Sequence, residues 1–106
     1  MMEPLELRPG SRLRSIADAT EVVVVRPPAQ PIDLRCAGHP MVPLDSDAPA
    51  GATPSPDHAE GTLLGKRYVD AEQTLEVLCT KPGDGSLSVG DVPLQVKEAK
   101  PLPASD

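Results

Sequence analysis

Fourteen prolines spread over 106 residues set the first limit on what this chain can fold into. Inside a helix a proline removes a hydrogen-bond donor and clashes with the preceding turn. Long helices are therefore excluded over most of the sequence, and the windows left for a helix, residues 14–20 and 70–74, are short. With eight glycines the prolines make up about a fifth of the chain, short of the roughly 25–30% that marks whole-chain disorder.

What the prolines leave intact reads as strand. Residues 21–26, Glu-Val-Val-Val-Val-Arg, carry the strongest signal, and four β-branched side chains in a row suit a strand buried on both faces. Glu21, Arg26 and the Pro27-Pro28 pair flank this run and guard it against aggregation. Residues 11–16 alternate weakly. Ile32, Leu34 and Cys36 alternate with Asp33 and Arg35, which predicts a half-buried strand ending at Gly38 and Pro40. Met41 to Leu44 form a short extension interrupted by Pro43. Thr62 to Val69 is a further candidate strand. In residues 74–80, Leu75, Val77 and Cys79 share one face. Gly90-Asp91 is a two-residue hairpin signal between Leu87-Val89 and Val92-Val96.

Six or seven short strands with turns between them predict an all-β fold, a small antiparallel barrel or sandwich. The expected organisation is a flexible N-terminal arm (1–10), one β domain (11–97) with a mobile loop inserted at 45–61, and an extended proline-containing tail (98–106). No internal repeat stands out along the chain. The core must be aliphatic, because Tyr68 is the only aromatic residue. Such a core gains about 1.5–3 kcal/mol per buried side chain. A domain of this size is marginal on that basis, which predicts help from a metal, a partner or self-association.

The formal net charge of −6 argues against binding nucleic-acid phosphates, which need a basic face. No apolar run of 18 residues predicts a membrane helix. Met1-Met2-Glu3-Pro4 lacks a basic region followed by an apolar stretch, so the expected location is cytoplasmic. Two cysteines in that compartment are expected as thiols or ligands rather than as a disulfide.

One constellation carries candidate chemistry. Cys36, His39 and Met41 lie within six residues and are all soft-metal ligands. Cys79 is expected on an apolar strand face as Cys36 is, and His58 lies in the 45–61 loop. A zinc-type site, or one for another soft transition metal, would use Cys36, His39 and Cys79 with His58 or water fourth. The order Cys-x₂-His-x-Met also resembles the ligand loop of the cupredoxins, which implies copper. That family takes a second histidine from an earlier strand, and here no histidine precedes Cys36. A third reading makes Cys36 a nucleophile with His39 as its base. The bland alternative packs both cysteines as small hydrophobes, with Met41 filling a gap.

Three function classes follow. The leading expectation is a non-catalytic interaction module or accessory subunit with a protein partner or self-association, and no certain cofactor. The alternative is a metal-binding or redox protein built on Cys36, His39 and Cys79. The third is a thiol-dependent enzyme using Cys36.

Overall fold

The computed structural model of the protein describes residues 6–47 and 51–97. Alternating aliphatic and polar side chains lay the chain out as ten strands: β1 Arg12–Arg14, β2 Glu21–Arg26, β3 Leu34–Cys36, β4 His39–Pro40, β5 Val42–Pro43, β6 Arg67–Val69, β7 Glu76–Lys81, β8 Leu87–Val89, β9 Val92–Pro93 and β10 Gln95–Val96. A single 3-10 turn, Pro56–His58, is the one helical element among the described residues. The all-β expectation therefore holds. The strands outnumber the six or seven expected because β4, β5, β9 and β10 are two residues long, too short to display an alternation.

The strands form two antiparallel sheets, a six-stranded one in the order β10-β6-β7-β2-β1-β5 and a four-stranded one in the order β4-β3-β8-β9. Neither sheet closes on itself among the described residues, so the barrel alternative is not realised. Residues 1–5, 48–50 and 98–106 lie outside the described residues, and with them half of the expected arm and the whole expected tail.

Both strand orders are palindromic, and the reason is an internal repeat. β1 to β5 and β6 to β10 are two copies of one unit: a hairpin in the large sheet, a hairpin in the small sheet, and a return strand beside the first. The register repeats residue by residue. Arg12, Leu13 and Arg14 face Val23, Val22 and Glu21, as Arg67, Tyr68 and Val69 face Leu78, Val77 and Glu76. Leu13 faces Pro43 as Tyr68 faces Val96, and Cys36 faces His39 as Val89 faces Val92. The halves meet along β2–β7 and β3–β8. There Val22↔Cys79 mirrors Val24↔Val77, Leu34↔Val89 mirrors Cys36↔Leu87, and the pairs Val23↔Leu78 and Arg35↔Ser88 lie on the two-fold axis.

One apolar cluster draws on both sheets. It includes Leu13, Val22, Val24, Leu34, Cys36, Met41, Tyr68, Leu75, Val77, Cys79, Leu87 and Leu94. Leu75, Val77 and Cys79 share the inward face as expected. The valine run differs from its expectation. Val22 and Val24 are buried while Val25 is 41% exposed, because only one face of the large sheet has a second sheet to pack against.

The prolines find their place at the sheet margins. β5, β4 and β9 are edge strands and contain Pro43, Pro40 and Pro93. The amides of the flanking residues Leu44, Met41 and Leu94 point into the sheets, donating to Arg12, Leu34 and Leu87. By alternation each proline sits where an amide would point outwards, the one position in a sheet that tolerates it.

Candidate functional site

The β3–β4 hairpin presents the candidate ligands. Its two central residues, Ala37 (φ 56°) and Gly38 (φ 82°), are both left-handed, the geometry that matches the twist of the flanking strands. Ala37 holds a conformation that side-chain-bearing residues rarely adopt. Its backbone is tied on both sides, the amide donating to Ser86 O at 3.0 Å and the carbonyl accepting from Ser55 N at 2.9 Å.

This turn spreads the candidates apart. Cys36 is fully buried, and its thiol donates to Asp18 Oδ1 at 3.6 Å. Burial pushes the Cys36 thiol up to about 12; the Thr20 and Ser15 hydroxyls oppose the rise and the Asp18 charge adds to it. His39 is half-buried, and its Nε2 donates to the Thr53 carbonyl at 2.6 Å. Met41 is buried in the core cluster. The Cys79 thiol donates to the Lys81 carbonyl at 3.2 Å, and burial raises it above its ordinary range too. His58 lies in the 3-10 turn, where its carbonyl accepts from Ser86 N.

Both cysteines are free thiols. They share one core cluster, but no set of three or more His, Cys, Asp or Glu side chains is placed to hold a metal ion among the described residues. The repeat explains this. Cys36, His39 and Met41 stand where the second half has Val89, Val92 and Leu94, and Cys79 stands where the first half has Val24. The constellation occupies positions that hydrocarbon fills equally well.

A polar junction lies beside the thiols. Asp18 accepts from Thr20 Oγ1 at 2.7 Å and from Gly85 N at 2.6 Å, fastening the β1–β2 connection to the β7–β8 loop. Burial alone would raise the Asp18 carboxyl, but the hydrogen bonds from Ser15, Thr20 and Gly85 together hold it below its usual value. Gly83 is required here, since a Cβ would overlap Thr20 Oγ1 and Asp18 Oδ2. Segment 51–61 packs against the same end. Gly51 and Ala52 donate to Ile16 O, Ser55 to Ala37 O and Glu60 to Ser86 Oγ. These bonds satisfy the carboxylate and hold three loops together, which is structural work.

The outer face of the six-stranded sheet has a different character. Its strands carry five of the chain's ten basic residues, Arg12, Arg14, Arg26, Arg67 and Lys81, against two of its sixteen acidic ones, Glu21 and Glu76. A groove of about 420 Å³ opens on this face between Arg12, Val23, Leu44, Thr80 and Lys81, with Glu21 on its wall.

The equivalent place in the second half is built otherwise. There Lys97 takes the position of Leu44, and its Nζ lies 2.8 Å from Glu76 Oε1, while Arg67 Nη1 lies 3.3 Å from Glu76 Oε2. The Lys97 hydrogen bond, helped by the charges of Lys97 and Arg67, holds the Glu76 carboxyl below its ordinary range. In the first half the wall carboxylate Glu21 reaches only Lys81, at 4.0 Å, and Arg12 has no ion pair among the described residues. Sequence reasoning passed over Arg12, Leu44 and Lys81. The signal that would have found them is the match of Glu21-Val22 and Arg26-Pro27 with Glu76-Val77 and Lys81-Pro82. A comparison with protein-family models, curated proteins and solved structures finds no match to this chain.

Proposed function

We propose that this protein is a non-catalytic interaction module that engages a protein partner through the outer face of its six-stranded sheet. The supporting observation is the separation of charge. A chain of net charge −6 carries half of its cations on the strands of one sheet, beside the apolar side chains of Val23, Val25 and Leu44. A basic, partly apolar face on an acidic body steers association with an acidic surface and disfavours contact between like faces. The chemistry at the thiols supports the same reading, because a protonated, buried Cys36 with His39 turned to Thr53 is not an activated nucleophile.

Native mass spectrometry of untagged protein from its own source tests this. A second polypeptide that stays bound at low salt and leaves as ionic strength rises is the expected result. A strictly monomeric species at every salt concentration overturns the proposal, and the same spectrum registers any stoichiometric metal.

A further inference from the structure

The two halves differ where they most need comparing. In the second half a carboxylate, Glu76, sits in the position flanked by Arg67 and Lys97 and is 6% exposed. In the first half the counterpart carboxylate, Glu21, lies on the groove wall and reaches only Lys81, at 4.0 Å, which leaves Arg12 without an ion pair among the described residues. Leu44, 37% exposed, replaces the lysine that would close the groove. The molecule thus shows, in its own second copy, what satisfies the arginine at this place: Arg67, the counterpart of Arg12, holds a carboxylate that Arg12 lacks.

We propose that the Arg12–Leu44–Lys81 groove binds an acidic, extended peptide segment of a partner protein, one carboxylate settling on Arg12, which Glu21 leaves unpaired among the described residues, and a neighbouring aliphatic side chain covering Val23 and Leu44. This rests on the interaction-module reading and names its contact site. Arg12 supplies a planar fork suited to a carboxylate. Leu44 and Val23 supply apolar area that a phosphate backbone leaves unused. The single aromatic residue, Tyr68, is buried, so this face has no stacking platform for nucleobases. Alternation of acidic and aliphatic residues in the ligand matches the period-two spacing of an extended strand.

The test is fluorescence anisotropy on the full chain with a labelled ten-residue peptide of alternating Glu and Val. A Lys-Val peptide and a single-stranded oligonucleotide of equal charge serve as comparisons. The acidic peptide is expected to bind, with affinity falling as salt rises. Arg12→Glu and Lys81→Glu should each weaken it at least tenfold, whereas Lys66→Glu, an equal charge change outside the groove, should change it less than twofold.

Leu44→Lys is the decisive variant, because it imports the residue that closes the second half. It should weaken binding at least tenfold despite adding positive charge. All four positions are exposed, and thermal melts confirm that each variant folds. Stronger binding by Leu44→Lys, an equal loss in Lys66→Glu, or equal affinity for the oligonucleotide overturns the groove assignment. So does a concentration-dependent dimer that Leu44→Lys abolishes, which would make a second copy the occupant. If the native protein retains a partner while the groove variants have no effect, the groove fails and the module reading stands. If no partner is retained either, both fail.

Discussion

Leu44 and Lys97 occupy one and the same place in the two halves, each donating its amide to the carbonyl of an arginine, Arg12 at 2.9 Å and Arg67 at 2.7 Å. Their backbones are interchangeable and their side chains are not. Lys97 neutralises a buried carboxylate, while Leu44 leaves its neighbourhood open. The substitution Lys97→Leu therefore tests the second half as a closed version of the first. With its nearest cation gone, Glu76 keeps only Arg67. Since Lys97 is nearly half exposed, the loss should be about 1–2 kcal/mol, read as a lower urea midpoint at unchanged slope. Glu76 is held below its ordinary 4.5, so its contribution is present above that pH and disappears on acidification. Wild type and Lys97→Leu should converge in stability as pH falls below 4.5.

The Asp18 junction should behave as a staple. Asp18→Ala removes the acceptor of Thr20 Oγ1 and Gly85 N and should cost about 2–3 kcal/mol. The folded carboxyl lies below its usual 3.8, so the gap between wild type and variant should be full at neutral pH and shrink as pH drops past that value. Gly83→Ala should destabilise by about 1–3 kcal/mol through overpacking against the same carboxylate. Chemical denaturation at pH 7 and at pH 3 measures both.

The cysteines should be replaceable by the residues the repeat already uses. Cys36→Val and Cys79→Val copy Val89 and Val24 while adding about one methyl group each to the core, so each should cost no more than about 1–3 kcal/mol. Iodoacetamide should label native wild-type protein slowly at neutral pH, with unfolding accelerating it. Because burial holds Cys36 at about 12 against an ordinary 9.0, the unfolded chain loses its thiol protons first. Wild-type stability should therefore decline as pH rises from about 9 towards 12, and the double variant should lose this alkaline slope. Rapid labelling at neutral pH, or metal lost along with either thiol, would restore the ligand and nucleophile readings.

The two-fold arrangement makes a prediction about chain order. The segment from Leu44 to Thr62 joins the end of one half to the start of the other, and by symmetry Lys97 and Leu7 bear the same relation. The nine residues after Lys97 and the six before Leu7 fall two short of the seventeen between Leu44 and Thr62. A circular permutant joined head to tail through two added glycines, and opened between Asp47 and Gly51, should fold to the same two sheets. Near-identical far-ultraviolet spectra and hydrogen-exchange protection of β2 and β7 would establish it. A molten permutant would show that the linker bonds to Ile16 and Ser86 are indispensable.

What could be read in the sequence was whatever repeats over many residues. β7 is six residues long, so its alternation is visible; β2 shows itself as strand through its β-branched run but not which of its faces is buried, and Gly90-Asp91 announces its hairpin by turn chemistry alone. The two-residue strands are invisible because pairing, not pattern, defines them. The internal repeat was hidden for two reasons. Few positions keep their identity, among them Arg12 and Arg67, Glu21 and Glu76, Leu34 and Leu87, and Pro40 and Pro93. The connection from β2 to β3 is also two residues longer than that from β7 to β8, which shifts the offset from 55 to 53. The Cys36, His39 and Met41 cluster misled because nearness along a chain resembles nearness in space, while a hairpin sends Cys36 into the core and His39 towards Thr53. The groove depends on a contrast between Leu44 and Lys97 that has meaning only after the halves are superposed.

The placement of proline bears on how copies of this chain meet. Val96 holds in β10 the place that Pro43 holds in β5, so among the described residues β10 is the one sheet margin whose outward amide is intact. Proline hinders lateral strand addition at the other three margins, and the amide of Val96 does not. Two molecules joined through β10 would expose only proline-capped rims, so recruitment would end at a pair and never run on into a fibril.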